Sequence, residues 1–173
     1  GSCQRLLDLG LNVTGVDPGQ MVDLLLQHPR FTHWRSKSAG IRRKQFAKFR
    51  WLAADANVAP NYTLDFVEDI VQYPTSRLEG LLLTFKLSTY ALADQLPSYL
   101  QRIREWGFER CEVRQLAFNR QECCVVAQRA AGWRSPSRAE AMQRKARANA
   151  QQRRNRAAKA RQAEPAVEPE QPS

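Results

Sequence analysis

Leu81-Leu82-Leu83-Thr84-Phe85-Lys86-Leu87 is an apolar run of strand length that carries a lysine near its end. Seven residues are too few for a core helix, and the Gly80 and Ser88-Thr89 that flank the run are punctuation of the kind that bounds a strand. A lysine in such surroundings needs carboxylates, because an ammonium withdrawn from water is costly unless paired. Two acids stand at the ends of other apolar runs. Asp55 closes Trp51-Leu52-Ala53-Ala54, and Glu122 opens Cys123-Cys124-Val125-Val126-Ala127.

Working outward, the chain alternates strand and helix signals. Residues 2–9 read as the end of a helix stopped by Gly10, and Asn12 to Asp17 as a short buried strand. Pro18-Gly19 turns the chain into a helix carrying Met21, Val22, Leu24, Leu25 and Leu26, and Phe31 to Trp34 form a short strand. After a strand at Arg50–Ala54, a helix near Thr63–Gln72 keeps Leu64, Val67, Ile70 and Val71 on one face. The Lys86 strand is followed by a helix near Gln95–Trp106. Strands near Glu112–Phe118 and Glu122–Arg129 then flank a hairpin-like Asn119-Arg120-Gln121. This order predicts an α/β fold with a mostly parallel sheet, helices on both faces and an antiparallel C-terminal hairpin.

The 173 residues suffice for one domain and a tail, divided at residues 1–133 and 134–173. The formal charge of +10 is unevenly spread: residues 1–133 hold 17 Lys/Arg against 13 Asp/Glu, and the tail 10 against 4. The tail is rich in Ala, Arg, Lys and Gln without an apolar stripe, and it ends in an acidic, proline-containing segment, so it reads as disordered or frayed helix. Such a balance suits a polyanion such as RNA, or simple solvation. No apolar stretch approaches a membrane span and no secretory signal opens the chain, so a cytoplasmic protein is expected. Cys3, Cys111, Cys123 and Cys124 lack metal-site spacing, which predicts reduced thiols, no metal and no disulfide framework.

These segments resemble the FtsJ-like RNA 2′-O-ribose methyltransferases, and the middle of the chain is most similar to the RlmM-like branch, which methylates a cytidine ribose of large-subunit ribosomal RNA. The resemblance is carried by Val13-Thr14-Gly15-Val16-Asp17-Pro18-Gly19-Gln20-Met21, by Asp55 with Ala59-Pro60-Asn61, by Phe85-Lys86-Leu87 and by Arg120-Gln121-Glu122. It covers about residues 1–130 and implies a Rossmann-like methyltransferase sheet, S-adenosyl-L-methionine as cofactor and ribosomal RNA as substrate. Three members of the family's Lys-Asp-Lys-Glu tetrad map to Asp55, Lys86 and Glu122. Asp17, Pro18 and Asp55 fall at its cofactor-binding positions. The family's first Lys and glycine-rich loop have no counterpart here, so the resemblance further implies a chain that begins inside that loop, lacks the first strand and is weakly active alone. The Asp55 motif is two residues longer before Ala-Pro-Asn than in the FtsJ type, and Ser36-Lys37-Ser38 stands where relatives place an acid near the adenine.

The residues admit two chemistries each. Lys86, if neutral, is a base for a ribose hydroxyl, with Asp55 and Glu122 orienting it; otherwise it snorkels from a strand end to water. Asp55 and Asp17 are also ordinary turn acids, and Glu122 is also an ordinary acid beside a hairpin. His28 and His33 read as surface or turn residues rather than ligands. Lys37 to Arg50 holds six Lys/Arg and no acid. With Trp34, Phe46, Phe49 and Trp51 it would grip phosphates and stack bases, or form a solvated face with its aromatics in the core. Two rivals to the methyltransferase therefore stand: a non-catalytic RNA-binding protein using the basic stretch and tail, and an α/β transferase acting on a small molecule or protein.

Overall fold

The computed structural model describes residues 2–115 and 121–134 together with a few positions up to residue 146. The predicted hairpin connection at 119–121 lies largely outside these residues, as does most of the basic tail. The chain divides into two compact units, residues 1–46 and 47–173. Its class is mixed α/β.

In the first unit, α1 (Ser2–Asp8) ends where Gly10 takes a φ of 78°, a left-handed value that an L side chain resists. β1 (Val13–Val16) and β2 (Phe31–Trp34) pair in parallel, Val13 with Phe31 through Val16 with Trp34, and α2 (Asp23–Leu26) makes the crossover between them. The core is small: Leu7, Leu25, Ile41 and Phe46 are buried, and Trp34 meets Phe46 edge to face at 5.8 Å between centroids. Leu24 and Val22 remain exposed, because a four-residue helix has one turn and can turn only part of its surface inward.

The second unit holds β3 (Trp51–Asp55), α3 (Pro60–Val71), β4 (Gly80–Lys86), α4 (Tyr90–Asp94), α5 (Leu96–Glu105), β5 (Arg110–Gln115) and β6 (Glu122–Gln128). Its four strands run in the order β3-β4-β6-β5. β3 and β4 are parallel, while β6 lies antiparallel between β4 and β5. The expected C-terminal antiparallel pair is therefore present. The single, mostly parallel sheet is not: among the described residues the strands form two sheets, because β1 pairs only with β2 and β3 only with β4.

Side-chain alternation sorts the second sheet into two faces. Leu81, Leu83 and Phe85 of β4 and Cys123, Val125 and Ala127 of β6 are buried together on one. α3 and α5 cover it. Leu64, Val67 and Ile70 come down from α3 and Tyr99 and Ile103 from α5, with Phe85 edge-on to Tyr99 at 5.7 Å. Arg102 of α5 ties the two helices by donating to Glu68 and, at 2.7 Å, to Asp65. Helices on both faces were expected, yet the other face carries half-exposed apolar side chains, Trp51 at 48% and Leu82 at 38%. The Trp51 ring lies so close to Gly80 that a Cβ there would fall 2.5 Å from it.

The end of this sheet away from Lys86 is fastened by Arg129. Its guanidinium lies 4.2 Å from the Phe108 ring centroid and 4.3 Å from that of Trp133, and donates to the carbonyls of Leu78 and Trp106. Sequence spacing placed α5, β4 and β6 within about two residues of their positions, and missed α4 and the two 3₁₀ turns at Ser38–Gly40 and Arg43–Lys48.

Candidate active site

Asp55 is the last residue of β3, Lys86 the last of β4 and Glu122 the first of β6. Because β3 and β4 are parallel and β6 antiparallel, all three reach the same rim of the sheet. The register also places them on one face. Asp55 pairs with Thr84, two residues before Lys86, and Lys86 pairs directly with Glu122. That face is the one left open by α3 and α5.

The three side chains meet. Lys86 Nζ donates to Glu122 Oε1 and lies 3.5 Å from Asp55 Oδ1. The lysine side chain is only 24% exposed, Glu122 less so, and Asp55 mostly exposed. Lys86 is thus neither stranded in the core nor snorkelled to open water. Phe85, fully buried one residue earlier, fixes the pleat that turns Lys86 to the other face.

The hydrogen bond that Lys86 donates to Glu122 raises the Lys86 pKa above its ordinary value; burial pulls the other way, and attraction to Asp55 adds to the rise. The carboxylates win, so Lys86 rests as an ammonium at neutral pH. It becomes a base only after losing that proton. Removing the first cause of the rise should ease the loss: in Glu122→Gln, a rate limited by neutral Lys86 is expected to reach its plateau at lower pH than in the parent. A pH profile measured on both proteins checks this, and an unshifted alkaline limb would uncouple Lys86 ionisation from Glu122.

Cys124 sits beside this group, paired across the sheet with Thr84. Burial, with a smaller contribution from the Asp55 charge, raises its thiol pKa. The four cysteines are free thiols, with Cys123 buried and Cys124 on the opposite side of β6 as alternation requires. Among the described residues no group of three metal-type side chains converges. No described helix is long and apolar enough to cross a membrane.

Asp17 and Pro18 belong to the first unit, at the end of β1. The Asp17 Oδ1 accepts the Gly19 N–H at 2.6 Å, so one carboxylate oxygen serves the turn. The side chain is exposed, and its second oxygen retains acceptor capacity for a ribose hydroxyl, which suits the chemistry of an adenosyl group. His28 Nδ1 accepts from the Arg30 N–H, in keeping with a turn role, whereas His33 lies within β2, its ring nitrogen 3.0 Å from the Asp17 carbonyl.

In the basic stretch Lys37, Arg42, Lys44, Lys48 and Arg50 are exposed. Its aromatics divide: Phe46 is core, Phe49 is half-buried with Lys48 Nζ 5.1 Å from its centroid, and Trp51 is half exposed. Sequence inspection did not single out the rim tyrosines Tyr62 and Tyr90, although the positions just after Asp55 and Lys86 were the signal that could have found them. A scan against protein-family models and a search of curated proteins return no match for this chain.

Proposed function

We propose that this protein is an S-adenosylmethionine-dependent RNA methyltransferase acting on a ribose 2′-hydroxyl, with a Rossmann-like domain and ribosomal RNA as its class of substrate. The observation that carries this reading is the meeting of Asp55, Lys86 and Glu122 on one face at one rim of the sheet. Arg102 also takes two acids and ties two helices, so the number of partners is not the distinction. The distinction is place: this lysine and its acids stand at three strand ends, where open α/β sheets place their ligands.

When bound, S-adenosylmethionine supplies a methyl group made electrophilic by a sulfonium. The resemblance assigns Asp17 and Pro18 to it in the first unit and Asp55, at the end of β3, in the second. Lys86 does the proton work. Once neutral, its Nζ accepts the proton of the ribose 2′-hydroxyl, and Glu122 and Asp55 hold the amine in line and then stabilise the ammonium that results. The two acids therefore set both the place and the pH at which the lysine acts.

A non-catalytic RNA-binding protein is the second reading, favoured by the exposed cations between Lys37 and Arg50. One experiment separates the two. Incubate the full-length protein with S-adenosylmethionine and ribosomal RNA, then digest the RNA and look by mass spectrometry for 2′-O-methylated nucleosides. The expected result is a single new 2′-O-methyl site. RNA binding with no methyl transfer would leave the second reading in possession.

A further inference from the structure

Tyr62 and Tyr90 are 70% and 92% exposed. Such exposure is unusual for a ring of this size, and neither side chain makes a hydrogen bond or ring contact among the described residues. The contrast within the same unit is Tyr99, which is buried against Phe85 and donates its hydroxyl to Gln95 at 3.1 Å. Tyr99 holds the core together. Tyr62 and Tyr90 do nothing for it.

Their positions are shared. Tyr62 lies in the first turn of α3, after the short loop that leaves β3 at Asp55, and Tyr90 is the first residue of α4, after the loop that leaves β4 at Lys86. β3 and β4 are parallel neighbours, so both loops leave the rim that carries Asp55, Lys86 and Glu122. Each turn is pinned: Pro60 fixes the start of α3, and the Thr89 hydroxyl accepts the Leu92 N–H at the start of α4. Val58, in the loop between Asp55 and Pro60, adds a third exposed apolar side chain to the same rim. These exposed side chains, at the loops of the rim that carries the charged site, offer faces on which a flat apolar ligand can rest.

We propose that Tyr62 and Tyr90 are stacking platforms for the bases of single-stranded RNA next to the ribose presented to Lys86. The proposal rests on the RNA methyltransferase reading and names what holds the substrate there. The chain's formal charge of +10 supplies attraction to phosphate. That attraction cannot fix which ribose faces Lys86. Base stacking does so by immobilising the nucleotides next to it, and it requires unpaired bases, since a duplex hides its base faces.

The test uses the full-length protein and two fluorescent probes: a short single-stranded oligoribonucleotide, and an abasic ribose-phosphate chain of equal length. The abasic chain keeps the phosphates and removes the rings. The parent should bind the oligoribonucleotide more tightly than the abasic chain. Tyr90→Ala or Tyr62→Ala should each weaken oligoribonucleotide binding by about five- to a hundredfold, leave the abasic chain unaffected, and be rescued by Phe. Equal losses on both probes, or no loss on either, would overturn the stacking role. A Tyr90→Phe protein that binds no better than Tyr90→Ala would do the same. If the tyrosine variants bind normally while Lys86 is still needed for methylation, only this proposal fails. If the parent binds neither probe, the RNA reading fails with it.

Discussion

Replacing Lys86 with methionine is expected to lower methyl transfer by about two to four orders of magnitude while leaving the fold and RNA affinity close to the parent's. The size follows from the position. Methionine matches the length and apolar stem of lysine, so the packing beside Glu122 and Thr84 is kept while the amine that reaches both acids is lost. Part of the effect is proton removal and part is alignment of the hydroxyl, since a displaced reactant forfeits the advantage of being held. Glu122 will then lack its cation, and its carboxylate, 14% exposed at the rim, will take hydrogen bonds from water instead. Initial rates with radiolabelled methyl donor measure the change. A variant retaining a third of the parental rate would reduce Lys86 to a structural cation.

The second large effect falls on stability. Phe85→Ala should destabilise the second unit by about 3–5 kcal/mol, since Phe85 is fully buried between the sheet and α5 and gives Tyr99 its edge-to-face partner. That is a large share of the roughly 5–15 kcal/mol that holds an ordinary domain folded. Thermal melting followed by circular dichroism should show a midpoint lowered by about 6–20 °C. Phe85→Leu, which refills most of the volume, should recover over half of it. An alanine variant that melts with the parent would mean that the face beneath α5 is not the core described here. The two substitutions are adjacent in sequence and opposite in consequence, because the pleat sends one side chain into the core and the next to the site.

Much of this was readable from residues. The apolar run from Leu81 fixed a strand and flagged Lys86, and the need of an ammonium for partners pointed to Asp55 and Glu122, which the structure brings to it. The register was not readable. Nothing in the composition of Glu122–Gln128 says that β6 inserts between β4 and β5, and that insertion is what sets Glu122 opposite Lys86. Strand partners are long-range facts, and for that reason the single sheet expected from the order of elements became two. α4 was missed because Tyr90–Asp94 is too short for a periodic stripe, and its start depends on a Thr89 cap rather than on pattern. α3 begins at Pro60, three residues earlier than expected, because the proline that reads as a loop residue also suits the first helical turn. The methyl donor, the RNA and the tetrad remain proposals drawn from resemblance and geometry together.

Trp51 gives the molecule its own optical label. Its indole lies half open to water on Gly80, at the start of the strand that ends in Asp55 and on the same face as the three site residues. Trp106 is buried, Trp133 lies under the Arg129 guanidinium and Trp34 packs on Phe46 in the first unit, so a Trp51→Phe protein is the control that assigns the signal. A molecule that spreads over this face from the rim as far as Trp51 would take water from the ring. A blue shift in its emission, and shielding from a dissolved quencher, would therefore report occupancy of that face without any dye being attached.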